Sequence, residues 1–299
     1  MKPGRWSIAV PLALLVAGAG CKNDNLFTGL HRQGTGDTAS LVSDGVAALS
    51  RGDYAAAEHY FEDALAQDPS NSDALYGAAA ARMGNGGLDI GQLLSNLLTQ
   101  GTPGGAPALT AGLAVAARGA PAQAPASGQS ILTNIDINAL DAALEVAICY
   151  LQRIQLGYTD GKIPTNDVNL LVNLGLCRLL RAATRPLKDG LVDIQKINTG
   201  QDFGYAVVAG TPFDSGQCAV LVNSFQDAAW GYQALNTASV QVLNQQPGDT
   251  LFDLKVDIRS LYTTYINDAA IVAANCNLAA TLGATPEAVP APASAGNCL

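Results

Sequence analysis

Hydrophobic residues in the last third of the chain recur at alternating steps of three and four positions, the period of a helix that is buried on one face. One run covers residues 215–244, a second covers 250–281, and the sequence QQPGD lies between them. We predict two long helices that pack as an antiparallel hairpin with a coiled-coil-like seam. The seam positions are Cys218, Leu221, Phe225, Ala228, Tyr232, Leu235 and Val242 in the first run and Leu251, Leu254, Ile258, Leu261, Tyr265, Ala269, Val272 and Cys276 in the second.

The same period predicts two earlier helices, at 136–156 and 166–184, joined by the turn GYTDGKIP. Pro186 is expected to end the second helix, because proline cannot continue the hydrogen-bond ladder. The fold class predicted from these patterns is all-α.

Cysteine positions agree with both hairpins. Cys218 and Cys276 lie at equal distances on either side of Pro247, so they meet if the hairpin folds there. The midpoint between Cys149 and Cys177 falls inside the GYTDGKIP turn. We therefore predict the disulfides Cys218–Cys276 and Cys149–Cys177, with buried free thiols as the alternative and Cys298 left over.

Small residues at regular spacing mark residues 41–81. They occur where two helices would approach closely, a phenylalanine fills the gap between them, and an Asp cap and a proline bound the second helix. The residues are Gly45, Gly52, Asp53, Tyr54, Ala57, Phe61, Ala64 and Pro69. This pattern resembles the tetratricopeptide repeat, a 34-residue helix–turn–helix unit. A second unit begins at Ser72, so the resemblance covers part of the region 41–100.

The resemblance implies a concave groove lined by the first helix of each unit. The residues that it places on this candidate partner groove are Val42, Val46, Leu49, Asp73, Tyr76, Ala80 and Met83. The alternative is that these side chains pack against the C-terminal helices.

The first twenty residues have the form of a secretory signal peptide. Lys2 and Arg5 precede the apolar run 8–17, and small residues lead up to Cys21. This end resembles the lipobox of bacterial lipoproteins, which implies cleavage before Cys21 and a lipid on its sulfur. The alternative is cleavage after Ala19. Because Lys22 follows the cysteine, the resemblance implies the outer membrane, with the protein facing the periplasm.

Composition indicates a linker within the chain and completes the expected division into segments. Gly, Pro and Ala make up 20 of the 30 residues in 101–130, which is typical of a linker. We expect a signal peptide at 1–20, a lipid-anchored tether at 21–40, a helical repeat domain at 41–100, a linker at 101–130, a disulfide-stapled helical domain at 131–285 and a flexible tail at 286–299.

Charged residues make up only 14% of the chain and the net charge is −9, which argues against a nucleic-acid partner. Between 215 and 248 the single charged residue is Asp227, so we expect this hairpin to be covered on more than one side. Arg178, Arg181, Arg185 and Lys188 form the one basic patch. It would meet an anionic partner or simply stabilise a helix C-terminus.

The chain has two histidines and no motif of a catalytic, metal or nucleotide site in the right context. We therefore expect a non-catalytic envelope lipoprotein without a cofactor beyond the lipid, acting as a scaffold for protein partners in assembly or transport at the outer membrane. The alternatives are a ligand-binding accessory subunit of a solute transporter and a self-assembling structural subunit.

Overall fold

The structure is a computed structural model that describes residues 36–88, 136–191, 212–241, 250–267 and 276–294. The expected signal peptide, Cys21, most of the tether, the linker 101–130 and Cys298 lie outside these residues. The described residues from Asp37 onward belong to one compact unit.

The described residues form helices and no strand, which confirms the all-α prediction. The α-helices are α1 Thr38–Ser50, α2 Tyr54–Gln67, α3 Ser72–Asn85, α4 Ile137–Gln155, α5 Val168–Lys188, α6 Ser215–Gln241, α7 Thr250–Tyr265 and α8 Leu278–Leu282. A short 3-10 helix, Pro286–Ala288, follows. None of the described helices is both long and apolar enough to cross a membrane.

Short polar side chains begin five of these helices. Each accepts a hydrogen bond from a backbone amide in the first turn, where the helix itself supplies no acceptor. The capping residues are Asp37, Asp53, Asn71, Asp136 and Asp167. The starts of these five helices are therefore encoded locally.

Among the described helices from α1 to α7, each packs against the next described helix, and α1 also contacts α3. This is the neighbour-by-neighbour order of an α-solenoid. The helix that packs on α3 is α4, which begins only at Ile137. Buried side chains of α2, α3, α4 and α5 belong to one core, including Phe61, Leu75, Leu144 and Leu174. The helices before and after the expected linker thus share a hydrophobic interior.

Pro186 lies inside α5, so the prediction that this helix ends before the proline is wrong. A proline deprives the carbonyl four residues earlier of its amide partner. Here that carbonyl belongs to Ala182, and it accepts a hydrogen bond from the hydroxyl of Ser224 on α6. The neighbouring helix therefore supplies the donor that the proline removes.

The C-terminal hairpin differs from its prediction in one respect. The helix α7 ends at Tyr265, and α8 starts after Asn277, which has a left-handed backbone with φ 44°. The continuous helix predicted over 250–281 is therefore wrong. The disulfide between Cys218 and Cys276 is present, with the two Cα atoms 5.1 Å apart. Leu221, Phe225 and Tyr262 pack beside it in a second hydrophobic cluster.

The predicted Cys149–Cys177 disulfide is wrong. Cys177 is a free thiol, fully buried, and its sulfur lies 3.0 Å from the sulfur of Met83 on α3. Cys149 is disulfide-bonded to a partner outside the described residues and lines a cavity between α4, α5 and α6. The two cysteines lie at equal distances from the turn of the hairpin, but Cys177 contacts α3 whereas Cys149 lines the cavity beside α6.

The expected flexible tail is docked over residues 286–294. Val289 is buried, and the side-chain amide of Gln233 on α6 donates to the carbonyls of Pro286 and Val289 at 2.9 and 2.7 Å. The indole of Trp230 donates to the carbonyl of Pro290 at 2.7 Å. The prediction of a mobile tail is therefore wrong for these residues, because side chains of α6 satisfy their backbone.

Candidate functional site

The part of the candidate groove on α1 is open. Val42, Val46 and Leu49 follow one another at steps of four and three, so they share a helix face. Val46 is 54% exposed, and Val42 and Leu49 are partly buried against the core. This face offers an apolar stripe one helix long.

The part of the candidate groove on α3 is largely covered by later helices. Met83 is buried beside Cys177 of α5, and Ala80 packs against the core. The hydroxyl of Tyr76 accepts a hydrogen bond from the amide of Asn173. Asp73 remains exposed, 3.9 Å from the ammonium group of Lys162. On α3 the packing alternative therefore describes most of these residues.

The sequence-predicted basic patch forms the centre of a buried charge cluster. Arg178 on α5 donates to Asp227 on α6 at 2.7 Å and to the side-chain oxygen of Gln152 on α4 at 2.5 Å. Its guanidinium carbon lies 4.5 Å from the ring centroid of Trp230, a cation–π contact. Arg178 and Asp227 are 3% and 2% exposed. The arginine thus joins α4, α5 and α6 at one point.

Two further arginines approach the same carboxylate. Arg185 lies 3.3 Å from Asp227, and the Nε atom of Arg181 lies 4.0 Å from it. Arg181 also forms a 2.9 Å ion pair with Glu145 on α4. In a separate ion pair, the ammonium group of Lys188 lies 3.2 Å from Asp141. The patch is therefore neither a solvated basic face nor a simple helix C-terminus.

Burial and charge act in opposite directions on this cluster. Burial raises the pKa of Asp227 above its ordinary value, while the three guanidinium groups act to lower it. Burial lowers the pKa of Arg178, and the contact with Asp227 opposes that change. A buried charge is stable only when it is paired, so Asp227 is what allows the arginines to lie at this depth.

An open cavity of about 560 Å³ lies against the cluster. Helices α4, α5 and α6 line it with both apolar and polar side chains. The lining residues are Ala142, Glu145, Val146, Ile148, Cys149, Gln152, Arg178, Arg181, Arg185, Asn223, Gln226, Asp227 and Trp230. Among the described residues, no group of three or more His, Cys, Asp or Glu side chains could hold a metal ion.

Sequence reasoning found the arginines but did not bring Gln152, Asp227 and Trp230 to them. One signal was available, since Asp227 is the only charged residue between 215 and 248. A lone charge on a helix covered from several sides requires a partner of opposite sign.

Comparison with known families agrees with the geometry of the first helices. The model of the tetratricopeptide repeat matches residues 48–89. The chain contains a tetratricopeptide repeat. The match covers α2 and α3, where the ring of Phe61 fits between Gly45 and Gly77. Neither a curated protein nor a solved structure matches the chain significantly. Repeats of this family generally mediate protein–protein interactions, so the chain has the fold of an interaction scaffold.

Proposed function

We propose that this protein is a non-catalytic lipoprotein of the bacterial cell envelope. The signal-peptide pattern and the small residues before Cys21 support export and a lipid on that cysteine. The protein would lie on the periplasmic face of the outer membrane and hold partner proteins during assembly or transport there. The disulfide Cys218–Cys276 fits an oxidising compartment.

The open face of α1 carries the scaffold proposal. Val46 is one of the few large hydrophobic residues that are more than half exposed among the described residues, and it lies on α1, which packs against both helices of the matched repeat. Exposed apolar side chains on the inner helices of a repeat are the surface through which such arrays bind their partners. A partner would cover Val42, Val46 and Leu49 and leave the covered α3 residues unchanged.

Photo-crosslinking tests this surface directly. A photoreactive amino acid at Val46 should form adducts with an envelope protein in intact cells, since the residue would lie inside the interface. The matched control is the same amino acid at Val240, which is 62% exposed on α6. Adducts lost on changing Val42 to Asp support the scaffold. Equal adducts at both positions, or none at Val46, would refute it.

Fractionation tests the anchor separately. The variant Cys21→Ala should move the protein from the membrane fraction to the soluble fraction, because no acyl chain can then be attached. Unchanged membrane attachment in this variant would contradict the lipid anchor. The result does not depend on whether a protein partner is found.

The cavity beside Arg178 favours the second candidate function, a ligand-binding accessory subunit of a transporter. It lies between helices of successive pairs, is open to solvent and carries charged groups at its wall. Its volume is within the range of small-molecule sites, about 300–1,000 Å³.

A further inference from the structure

Positive charge is concentrated in the cavity between α4, α5 and α6. The whole chain has 16 basic and 25 acidic residues. Among the described residues of the cavity wall, three arginines face two carboxylates, Glu145 and Asp227, which leaves one positive charge in excess. An acidic protein with a positively charged concavity has its most favourable site for an anion there.

The arginines differ in how much of their hydrogen-bonding capacity the protein uses. Arg178 is held by Asp227, Gln152 and the ring of Trp230. The Nε atom of Arg181 is buried and has no acceptor within hydrogen-bond distance among the described residues, and carboxylate oxygens of Asp141 and Asp227 each lie 4.0 Å from it. Because this atom has almost no accessible surface, Arg181 lines the cavity through other atoms of its side chain and contributes positive charge to the wall.

Arg185 lies at the accessible side of the cluster. Its side chain is 21% exposed, and its contact with Asp227 is a single 3.3 Å ion pair. Asp227 therefore fixes the position of the guanidinium group and leaves part of it accessible from the cavity. Such a fork of N–H donors suits a planar carboxylate.

We propose that this cavity binds a small organic monocarboxylate. Arg185 donates to its carboxylate, Arg181 adds positive charge at the wall, and its apolar part lies against Val146, Ile148 and the indole of Trp230. A monoanion matches the single excess positive charge. A phosphate dianion does not, because its second negative charge would have no positive partner among the described residues and it has no apolar part to lie against Val146 and Ile148.

The experiment uses benzoate as the probe, with benzamide and inorganic phosphate for comparison. Of the two tryptophans in the chain, Trp6 lies in the signal peptide proposed to be removed, so the fluorescence of the processed protein reports on Trp230 in the cavity. Titration by fluorescence and by calorimetry should show benzoate binding at least about tenfold more tightly than benzamide or phosphate, since only benzoate combines one negative charge with an apolar ring. Undetectable benzoate binding, or equal or tighter binding of either comparison compound, overturns the proposal.

Two variants locate the site. Arg185→Gln should weaken benzoate binding at least about tenfold, whereas the matched control Arg51→Gln, an exposed arginine in the turn after α1, should leave it unchanged. Ala142→Phe places a ring in the cavity from an exposed helix position and should weaken benzoate binding without unfolding the protein. Full binding by folded Arg185→Gln, or by Ala142→Phe, would show that benzoate binds elsewhere and would overturn the proposal.

This inference is independent of the scaffold function. The titrations use purified protein and do not require a protein partner, whereas the crosslinks at Val46 do not require a small molecule. If the benzoate titrations fail, the scaffold proposal is unaffected, and if the crosslinks fail, the carboxylate proposal is unaffected.

Discussion

Phe61 shows how single residues determine the fit between repeat helices. Its side chain is fully buried, and its ring occupies a space that exists because Gly45 and Gly77 have no side chains. A Cβ atom added at Gly77 would lie 2.2 Å from the ring, and one at Gly45 would lie 2.7 Å from it. One aromatic residue therefore requires glycine on the helix before it and on the helix after it.

Replacing Gly77 with alanine should destabilise the protein, although the same substitution usually stabilises a helix. In an ordinary helix interior, Gly→Ala stabilises by about 1 kcal/mol. Here the methyl group overlaps the ring, so Gly77→Ala should lower the free energy of unfolding by about 1–3 kcal/mol. Guanidinium denaturation followed by circular dichroism measures the change.

A smaller side chain at position 61 provides the control for this clash. In a Phe61→Leu background, Gly77→Ala should cost much less than in the original protein, because the ring that it strikes is absent. The same cost in both backgrounds would show that the alanine acts through something other than Phe61.

Helix α5 continues past a proline that would normally end it, and this continuation depends on a contact with α6. Ser224 of α6 donates to the Ala182 carbonyl, which Pro186 deprives of its amide partner. Glycines allow the two helices to approach at this interface: a Cβ atom added at Gly175 or Gly231 would lie within 3.1 Å of the other residue's carbonyl oxygen. The continuity of α5 past the proline is therefore a property of the pair of helices.

A double-mutant cycle tests this dependence. Ser224→Ala should destabilise the protein by about 1–3 kcal/mol, because it leaves a buried carbonyl without a donor. In the Pro186→Ala background, the amide of residue 186 can satisfy that carbonyl, so the cost of Ser224→Ala should fall close to zero. Equal costs in the two backgrounds, measured by urea unfolding, would contradict the compensation.

Local signals in the sequence were sufficient for the early helices and insufficient for contacts between distant segments. The Asp53 cap, the glycines around Phe61 and the spacing of Cys218 and Cys276 act within or between neighbouring helices, so their patterns are readable. Pro186 was misread because its compensation comes from Ser224, 38 positions away. The burial of Arg178 depends on Gln152 and Asp227 from two other helices, and no local sequence pattern indicates these contacts.

The C-terminal segment is attached by a contact that responds to pH. Glu287 accepts hydrogen bonds at 2.8 Å from Arg259 of α7 and from the hydroxyl of Tyr232 on α6. Burial acts to raise the pKa of Glu287, but hydrogen bonds from Arg259, its own backbone amide and Tyr232 lower it to about 2. The ionised carboxylate is therefore the form that favours docking.

Acid should loosen this segment before it unfolds the protein. A depressed carboxylate pKa contributes stability that is fully present above the ordinary value near 4.5 and is lost as the pH falls towards 2. Amide hydrogen exchange over 286–294, corrected for intrinsic rates, should accelerate across that window. Glu287→Gln should exchange rapidly at every pH, and a pH response as large as that of the original protein would refute the role of Glu287.

At the scale of the molecule, the helical array is continuous although the sequence between its parts is long. The array passes from α3 to α4 across residues 86–136, and the added Cβ of Gly86 would lie 2.8 Å from Ala143 of α4. Ser72 at the start of α3 also donates to Asp160 in the turn after α4, at 2.6 Å. These contacts do not depend on the chain that connects the helices.

Cutting the connecting chain tests this continuity. A protease site inserted within 101–130 and cleaved in the folded protein should yield two fragments that elute together in size-exclusion chromatography under reducing conditions, because the shared core holds them. Separation of the fragments without denaturant would show that the linker, and not packing, joins them. A site inserted at the turn 51–53, between α1 and α2, gives a cut inside one repeat for comparison.

The contact between Gln152 and the carbonyl of Ser294 joins positions 142 residues apart. At about 5–20 residues per second, a ribosome needs roughly 7–30 seconds to make the residues that separate them. Arg178 and Gln152 are therefore synthesised well before the segment that completes their surroundings. A nascent chain has α4 and α5 available while α6 still lacks its C-terminal cover. A chain that ended before residue 286 would therefore contain all the described α-helices but would leave the side chains of Gln233, Trp230 and Gln152 without the backbone carbonyls that they bind.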